Sequence, residues 1–209
     1  MTANADVPDS IVWTLTIKGS ASLDGLASAV GSNPERVQAI LNGLLKEGLV
    51  ERAGSSHRLS SKGKLKGRQL LAAERRRWGT QNAMAALDGF HRLDTRMKET
   101  ITAWQVRDIA GEQVLNDHTD DRYDARVLGR LTELHQELKA WVSSLGASPK
   151  GIRLYLERLT RALESARSDP RFVASPTVDS YHSVWFEFHE ALIQLAGRKR
   201  ADEAAAGRA

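Results

Sequence analysis

The chain has 209 residues, of which 41% are hydrophobic and 27% charged; it contains no cysteine and carries a formal net charge of +4. That balance suits a folded protein with a sizeable core, and the lack of cysteine excludes disulfides, thiol catalysis and cysteine-ligated zinc. No apolar run approaches the roughly 18 residues needed to span a bilayer, and the opening MTANADVPDS has neither a basic start nor an apolar leader, so a cytoplasmic protein without membrane contact is expected.

The charge is uneven. Residues 1–78 hold 12 Lys and Arg against 7 Asp and Glu, whereas the rest hold 18 against 19. Between Arg52 and Arg77 there are 9 basic residues and one acid, Glu74. One region built to meet a polyanion, beside a nearly neutral second half, is the natural reading.

In chain order, residues 1–8 are expected to be disordered. SIVWTLTIK at 10–18 follows an Asp9 or Ser10 cap and ends at Gly19. SLDGLASAVG then spaces Leu23, Leu26, Ala27 and Val30 as a helix between the cap Ser22 and the stop Gly31. SNPERVQAILNGLLKEG opens with Ser32 and Glu35 at capping-box spacing and with Pro34 in the first turn. Val37, Ile40, Leu41, Leu44 and Leu45 form its apolar face, and Gly48 closes it. Two short helices across a Gly-Ser-Asn turn predict a helix-turn-helix. LVERAGSSHRLSSKGK reads as strand, turn, strand and the start of another helix.

These residues resemble the winged-helix domain of the MarR-type transcription regulators, over about the first third of the chain. The resemblance rests on Leu26-Ala27, the strand entry Gly48-Leu49-Val50, and RLSSKGK at 58–64, where Leu59-Ser60-Ser61-Lys62-Gly63 occupies the place of the family's wing-ending pattern. It implies double-stranded DNA as a partner. With the apolar face inward, Arg36, Ala39, Asn42, Gly43 and Lys46 face a groove, the small pair Ala39 and Gly43 allowing close approach; Glu35 shares that face. Arg52, His57 and Arg58 are expected on the wing, with Lys62 and Lys64 extending the positive surface. A winged helix that serves only as a protein–protein adaptor is the alternative.

Residues 67–98 are expected to form connector helices, with Gly79 as a break. The stripe Leu87, Phe90, Met97, Ile101 and Trp104, interrupted by Asp94, suits either a homodimer interface or packing within its own domain. Residues 99–198 read as an all-helical effector or dimerisation domain, with helices near 120–145, 150–167 and 179–196 and a loop over DPRFVASPTVDS. Residues 199–209 are expected to be a flexible tail. The fold class expected is therefore mainly α: a winged helix-turn-helix with a small β-hairpin, then a helical domain.

This second half is rich in aromatic and polar groups. Trp104, Arg107, Asn116, His118, Tyr123, Asp124, Tyr155, Arg158, Tyr181, His182, Trp185 and His189 are candidates to line a pocket for a small aromatic or amphipathic ligand. In NDHTDDRYD at 116–124, Thr119 or Asp120 can cap a helix and its acids suit the helix dipole, which leaves Asn116, Asp117, His118, Tyr123 and Asp124 as a pocket rim. No cofactor is expected. His118, Asp120 or Asp121 with His182 or His189 is the alternative reading, as a metal site. No phosphate loop, nucleophile elbow, dinucleotide fingerprint or His-Glu-x-x-His is present, so the expectation is a ligand-responsive regulator and not an enzyme.

Overall fold

A computed structural model describes residues 7–208; the expected disorder of residues 1–6 lies outside them. The described chain is mainly helical, with a small antiparallel sheet near its N-terminus. Helix α1 (Val7–Lys18) starts two to three residues before the expected cap and takes Val7 and Pro8 into its first turn, where the missing proline N–H costs nothing. Strand β1 (Ser20–Ser22) leads to α2 (Leu23–Val30), whose cap Ser22 accepts from the Gly25 amide and whose end is the left-handed Gly31. Helix α3 (Pro34–Lys46) is capped one residue later than the sequence suggests, because Asn33, not Ser32, accepts the Arg36 amide at 2.8 Å.

Strands β2 (Val50–Ala53) and β3 (Ser56–Leu59) form a hairpin, and β1 adds to its free edge in the order β1-β3-β2. Helix α4 (Ser61–Trp78) is locked to the hairpin by Ser60, which caps its first turn and also donates to the Gly48 carbonyl at 2.6 Å. Two glycines make this docking geometrically feasible. A Cβ on Gly63 would lie 1.9 Å from the Leu49 carbonyl oxygen, and one on Gly67 would lie 2.1 Å from Thr16 Oγ1 of α1. Val37, Leu41 and Leu44 of α3 bury their face against Ile11, Leu15, Leu26, Val50 and Leu59.

The second core is larger. Helix α5 (Thr80–Gln105) follows the break at Gly79 and packs against α6 (Asp121–Ser144) and α9 (Tyr181–Leu195), which α7 (Lys150–Ser165) joins from the other side, with its stripe Leu87, Phe90, Met97, Ile101 and Trp104 buried in that core. The stripe is thus filled by its own domain. The expected boundary at 66/67 falls inside α4, which serves both cores: Leu70 packs against the first, Leu71 and Trp78 belong to the second.

Three features depart from the expectations of an all-helical domain over residues 99–198, a loop within it and a flexible tail over 199–209. A hairpin of β4 (Val106–Ile109) and β5 (Glu112–Leu115) projects after α5, turning at Ala110 and Gly111, both left-handed, as a tight two-residue turn requires. The expected loop contains a one-turn helix, α8 (Arg171–Ala174), that buries Val173. The tail forms α10 (Arg200–Ala205), where the carboxylate of Glu203, 1% exposed, pairs with Arg208 at 2.9 Å.

Because the Leu49 carbonyl is backbone that the hairpin holds in place, Gly63→Ala should cost about 1–3 kcal/mol in denaturant unfolding. Gly67→Ala, which meets only the rotatable Thr16 side chain, should cost less.

Candidate functional site

The exposed face of α3 carries Glu35, Arg36, Ala39, Asn42 and Lys46, while Gly43 is half-buried. Asn42 is tied along the helix, accepting from Gln38 Nε2 at 3.0 Å. On the neighbouring hairpin Arg52 and Arg58 are exposed, but Arg58 meets Glu51 of the facing strand at 2.7 Å. His57 departs from its expected place. It is 8% exposed, its side chain on the inner face of β3 between outward-facing Ser56 and Arg58. Alternation along a strand sends successive side chains to opposite faces, so His57 and Arg58 cannot both face a groove. Burial, then the charge of Arg52, lowers the His57 pKa and keeps the ring neutral.

The basic run is more divided than its sequence suggests. Arg75 donates to the carbonyls of Leu195 (2.8 Å) and Gln194 (2.6 Å), capping α9, and Arg77 pairs with Glu74. Lys66 lies 3.3 Å from Asp9, and Lys62 donates to the Glu47 carbonyl at 2.8 Å. Arg52, Lys64, Arg68 and Arg76 are exposed without a carboxylate partner among the described residues. The cations available to a polyanion are therefore Arg52, Lys64, Arg68 and Arg76 first, with the α3 side chains beside them.

The twelve candidate ligand residues separate into three groups. Trp104, Arg107, Asn116, His118, Tyr123 and Asp124 meet where α5 passes into the hairpin and α6 begins. Asn116 Nδ2 donates to the Trp104 carbonyl (3.0 Å) and to Asp124 Oδ1 (2.8 Å), and His118 Nδ1 lies 2.8 Å from Asp124 Oδ2. The His118 ring packs on Trp104 with centroids 4.5 Å apart. Arg107 sits over the Tyr123 ring and pairs with Asp120 at 3.0 Å, while the Tyr123 hydroxyl donates to the Ala103 carbonyl. Asp120 also caps α6. These polar groups satisfy one another and fasten the hairpin to the helices, while Arg107 and Tyr123 also line an open cavity with Lys98, Glu99 and Asp108.

The second group lies inside the helical core. Tyr181, wholly buried, meets His135 Nδ1 at 3.1 Å, and His135 Nε2 meets Thr160 Oγ1 at 3.2 Å. Trp185 donates to Asp94 at 2.9 Å, and His189 Nδ1 lies 3.4 Å from the same oxygen. Burial works against the Asp94 charge, yet the hydrogen bond and charge of His189, with the bonds from Trp185 and Lys98, pull its pKa down to about 2. Asp94 therefore interrupts the apolar stripe as an ion with partners. His182 is half-buried, and burial lowers its pKa. Among the described residues no three His, Asp or Glu side chains are placed to hold a metal ion; His118 and His189 are instead engaged by Asp124 and Asp94.

Tyr155 and Arg158 have a different setting, at the seam between the two cores. Arg158, 4% exposed, donates to Glu187 (2.7 Å) and through two nitrogens to Asp179 (2.9 and 3.1 Å). Lys18 of α1 pairs with Glu187 and lies 3.7 Å from Asp179, whose carboxylate also accepts from Ser28 of α2 at 2.8 Å. Burial opposes the Asp179 charge, but Arg158, Lys18 and Ser28 outweigh it and lower its pKa. Lys18, Ser28 and Glu187 were not among the sequence candidates. They lie up to 169 residues apart in the chain, and only the fold joins them.

Burial comes first among the causes that lower the pKa values of His91, His135 and His182. In the unfolded chain these imidazoles protonate near the ordinary value of 6.5, while the folded state resists protonation. Their contribution to stability is therefore complete above that value and is lost progressively as pH falls below it. Thermal unfolding from about pH 7.5 down to about pH 5 should show a falling Tm, and His135→Gln should flatten the fall. A Tm unchanged over that range would contradict neutral burial.

Compared with family models, curated proteins and solved structures, the chain matches none.

Proposed function

We propose that the protein is a DNA-binding transcription regulator whose N-terminal unit is a winged helix. The observation that carries this reading is the arrangement of the first unit: helix, strand, two helices, then a hairpin completing a three-stranded sheet in the order β1-β3-β2. In such a unit α3 is the helix that enters the major groove, and the β2–β3 hairpin is the wing beside it. Both elements are exposed and adjoin the basic start of α4. Arg36, Asn42 and Lys46 would address base edges or phosphates, Ala39 and Gly43 allow the helix backbone close to the groove floor, and Arg52 and Lys64 would contact phosphates.

Glu35 on the α3 face and the Arg58–Glu51 pair favour a second reading, a winged helix that docks a protein partner, since both reduce the positive field where DNA would lie. The larger unit would serve as the effector or assembly domain. Among the described residues no helix is long and apolar enough to cross a membrane.

Titrating the full chain with duplex DNA from the region upstream of its own gene, over a range of salt, separates the two readings. A regulator should show log K falling linearly with log salt, and Arg52→Ala or Lys64→Ala should each reduce the slope by about 1. No binding at low salt, or a slope indifferent to both substitutions, would favour the adaptor.

A further inference from the structure

The β4–β5 hairpin exposes more apolar surface than its size explains. Among the described residues the exposed large apolar side chains are Leu65, Ile109, Val114, Leu115 and Phe186, and three of these belong to the hairpin, with Leu115 83% exposed. A single exposed leucine is ordinary, whereas a cluster on one element marks an interaction surface. We propose that the outer edge of β5 pairs antiparallel with β5 of a second copy, joining two hairpins into a four-stranded sheet across a two-fold axis.

The ladder shows which edge is open. The Asn116 amide donates to the Gln105 carbonyl at 2.9 Å, one step beyond the pair Val106 and Leu115. Bonded and non-bonded pairs alternate along an antiparallel ladder. Arg107 and Val114 are therefore a bonded pair, and the peptide groups of Gln113 and Leu115 turn outward. On the far side of the hairpin the edge of β4 is partly occupied. The Val106 amide donates to the Thr102 carbonyl, and the Tyr123 hydroxyl reaches the Val106 carbonyl at 3.4 Å. Free edges are commonly blunted by lysine, proline or a bulge. Strand β5 is Glu112-Gln113-Val114-Leu115 in unbroken register and has none of these.

Register selects a second copy as the occupant. With the two-fold axis at Val114, Gln113 lies opposite Leu115 of the second copy, and their outward peptide groups exchange hydrogen bonds. Val114 lies opposite its own equivalent in a non-bonded pair, where side chains approach most closely. Glu112 falls opposite Asn116, so no like charges are opposed and an apolar pair occupies the centre. Leu115 becomes enclosed between Val106 of its own β4 and Gln113 of the second copy. A strand edge is a small interface, so the dimer is weak, reversible and dependent on concentration. Under the regulator reading the same axis would relate two reading units, as a palindromic site requires; the pairing itself does not rest on that reading.

The test is sedimentation of the full chain over a concentration series without DNA, joined to cross-linking. The native chain should pass reversibly from monomer to dimer. Val114→Lys, an exposed change that opposes two cations at the axis, should stay monomeric over the same range with an unchanged helical circular dichroism spectrum. The chain has no cysteine of its own, so Val114→Cys gives a single thiol. Its closeness to its equivalent across the axis suits a disulfide, and mild oxidation should give a covalent dimer. Leu65→Cys, equally exposed on α4, should remain largely monomeric. The proposal is overturned if the native chain is monomeric at every soluble concentration, if Val114→Lys dimerises as the native chain does, or if Val114→Cys cross-links no better than Leu65→Cys. Because DNA is absent, none of these results decides the regulator reading, and failure to bind DNA leaves the dimer standing.

Discussion

Four charges at one seam, two of them buried and two half-buried, join the two cores of this molecule. Arg158 of α7 and Lys18 of α1 face Glu187 of α9 and Asp179, with Ser28 of α2 completing the shell around Asp179. Desolvating such a set is expensive, and the cluster persists because each carboxylate meets two cations and nearly every donor finds an oxygen. Burial opposes the Arg158 charge, but Glu187 and Asp179 more than compensate, and its pKa is raised. Removing one partner from a set of this kind leaves a buried charge uncompensated, at a cost of about 3–5 kcal/mol. Apolar packing alone tolerates sliding. A set of directional ion pairs fixes how the first unit sits on the second.

That constraint gives the molecule its functional geometry. Helix α4 carries the same message through covalent continuity, placing Leu70 in the first core and Leu71 in the second, while Arg75 caps α9 from the far end. The exposed α3 face and the β2–β3 hairpin are consequently held in one orientation relative to α7 and α9. A cavity lined by Trp13, Leu70, Gly151 and Tyr155 lies in the same seam. Under the proposed reading, a regulator of this design would move its DNA-contacting unit by altering a narrow joint, and the energy available is the difference in ligand affinity between the two arrangements.

Local signals made the first unit legible. Ser22 and Gly31 bracket α2, Gly48 ends α3, and Ser60 starts α4, each through contacts within a few residues. The boundary errors were of the same local kind, as with Asn33 taking the cap expected of Ser32. The β4–β5 hairpin was missed because its four-residue strands are largely exposed and lack apolar alternation, and its turn uses Ala110-Gly111 where Asn-Gly would have been conspicuous. The candidate site was less legible for a different reason. A stripe such as Leu87–Trp104 looks the same whether its partner is a second copy or the chain itself. Polar residues such as Asn116, His118 and Asp124 look like ligand contacts in the sequence, which cannot show that the fold pairs them with one another. Gly63 and Gly67, four residues apart on α4, were a readable sign of close helix packing that composition alone did not interpret.

The central claim is that the buried ion cluster makes two cores into one cooperative body. Differential scanning calorimetry of the full chain and of Arg158→Met tests it directly. The account predicts one transition for the native chain, with calorimetric and van't Hoff enthalpies in agreement, and two separated transitions at lower temperature for the variant. Two transitions in the native chain, or an Arg158→Met profile matching the native one, would contradict it.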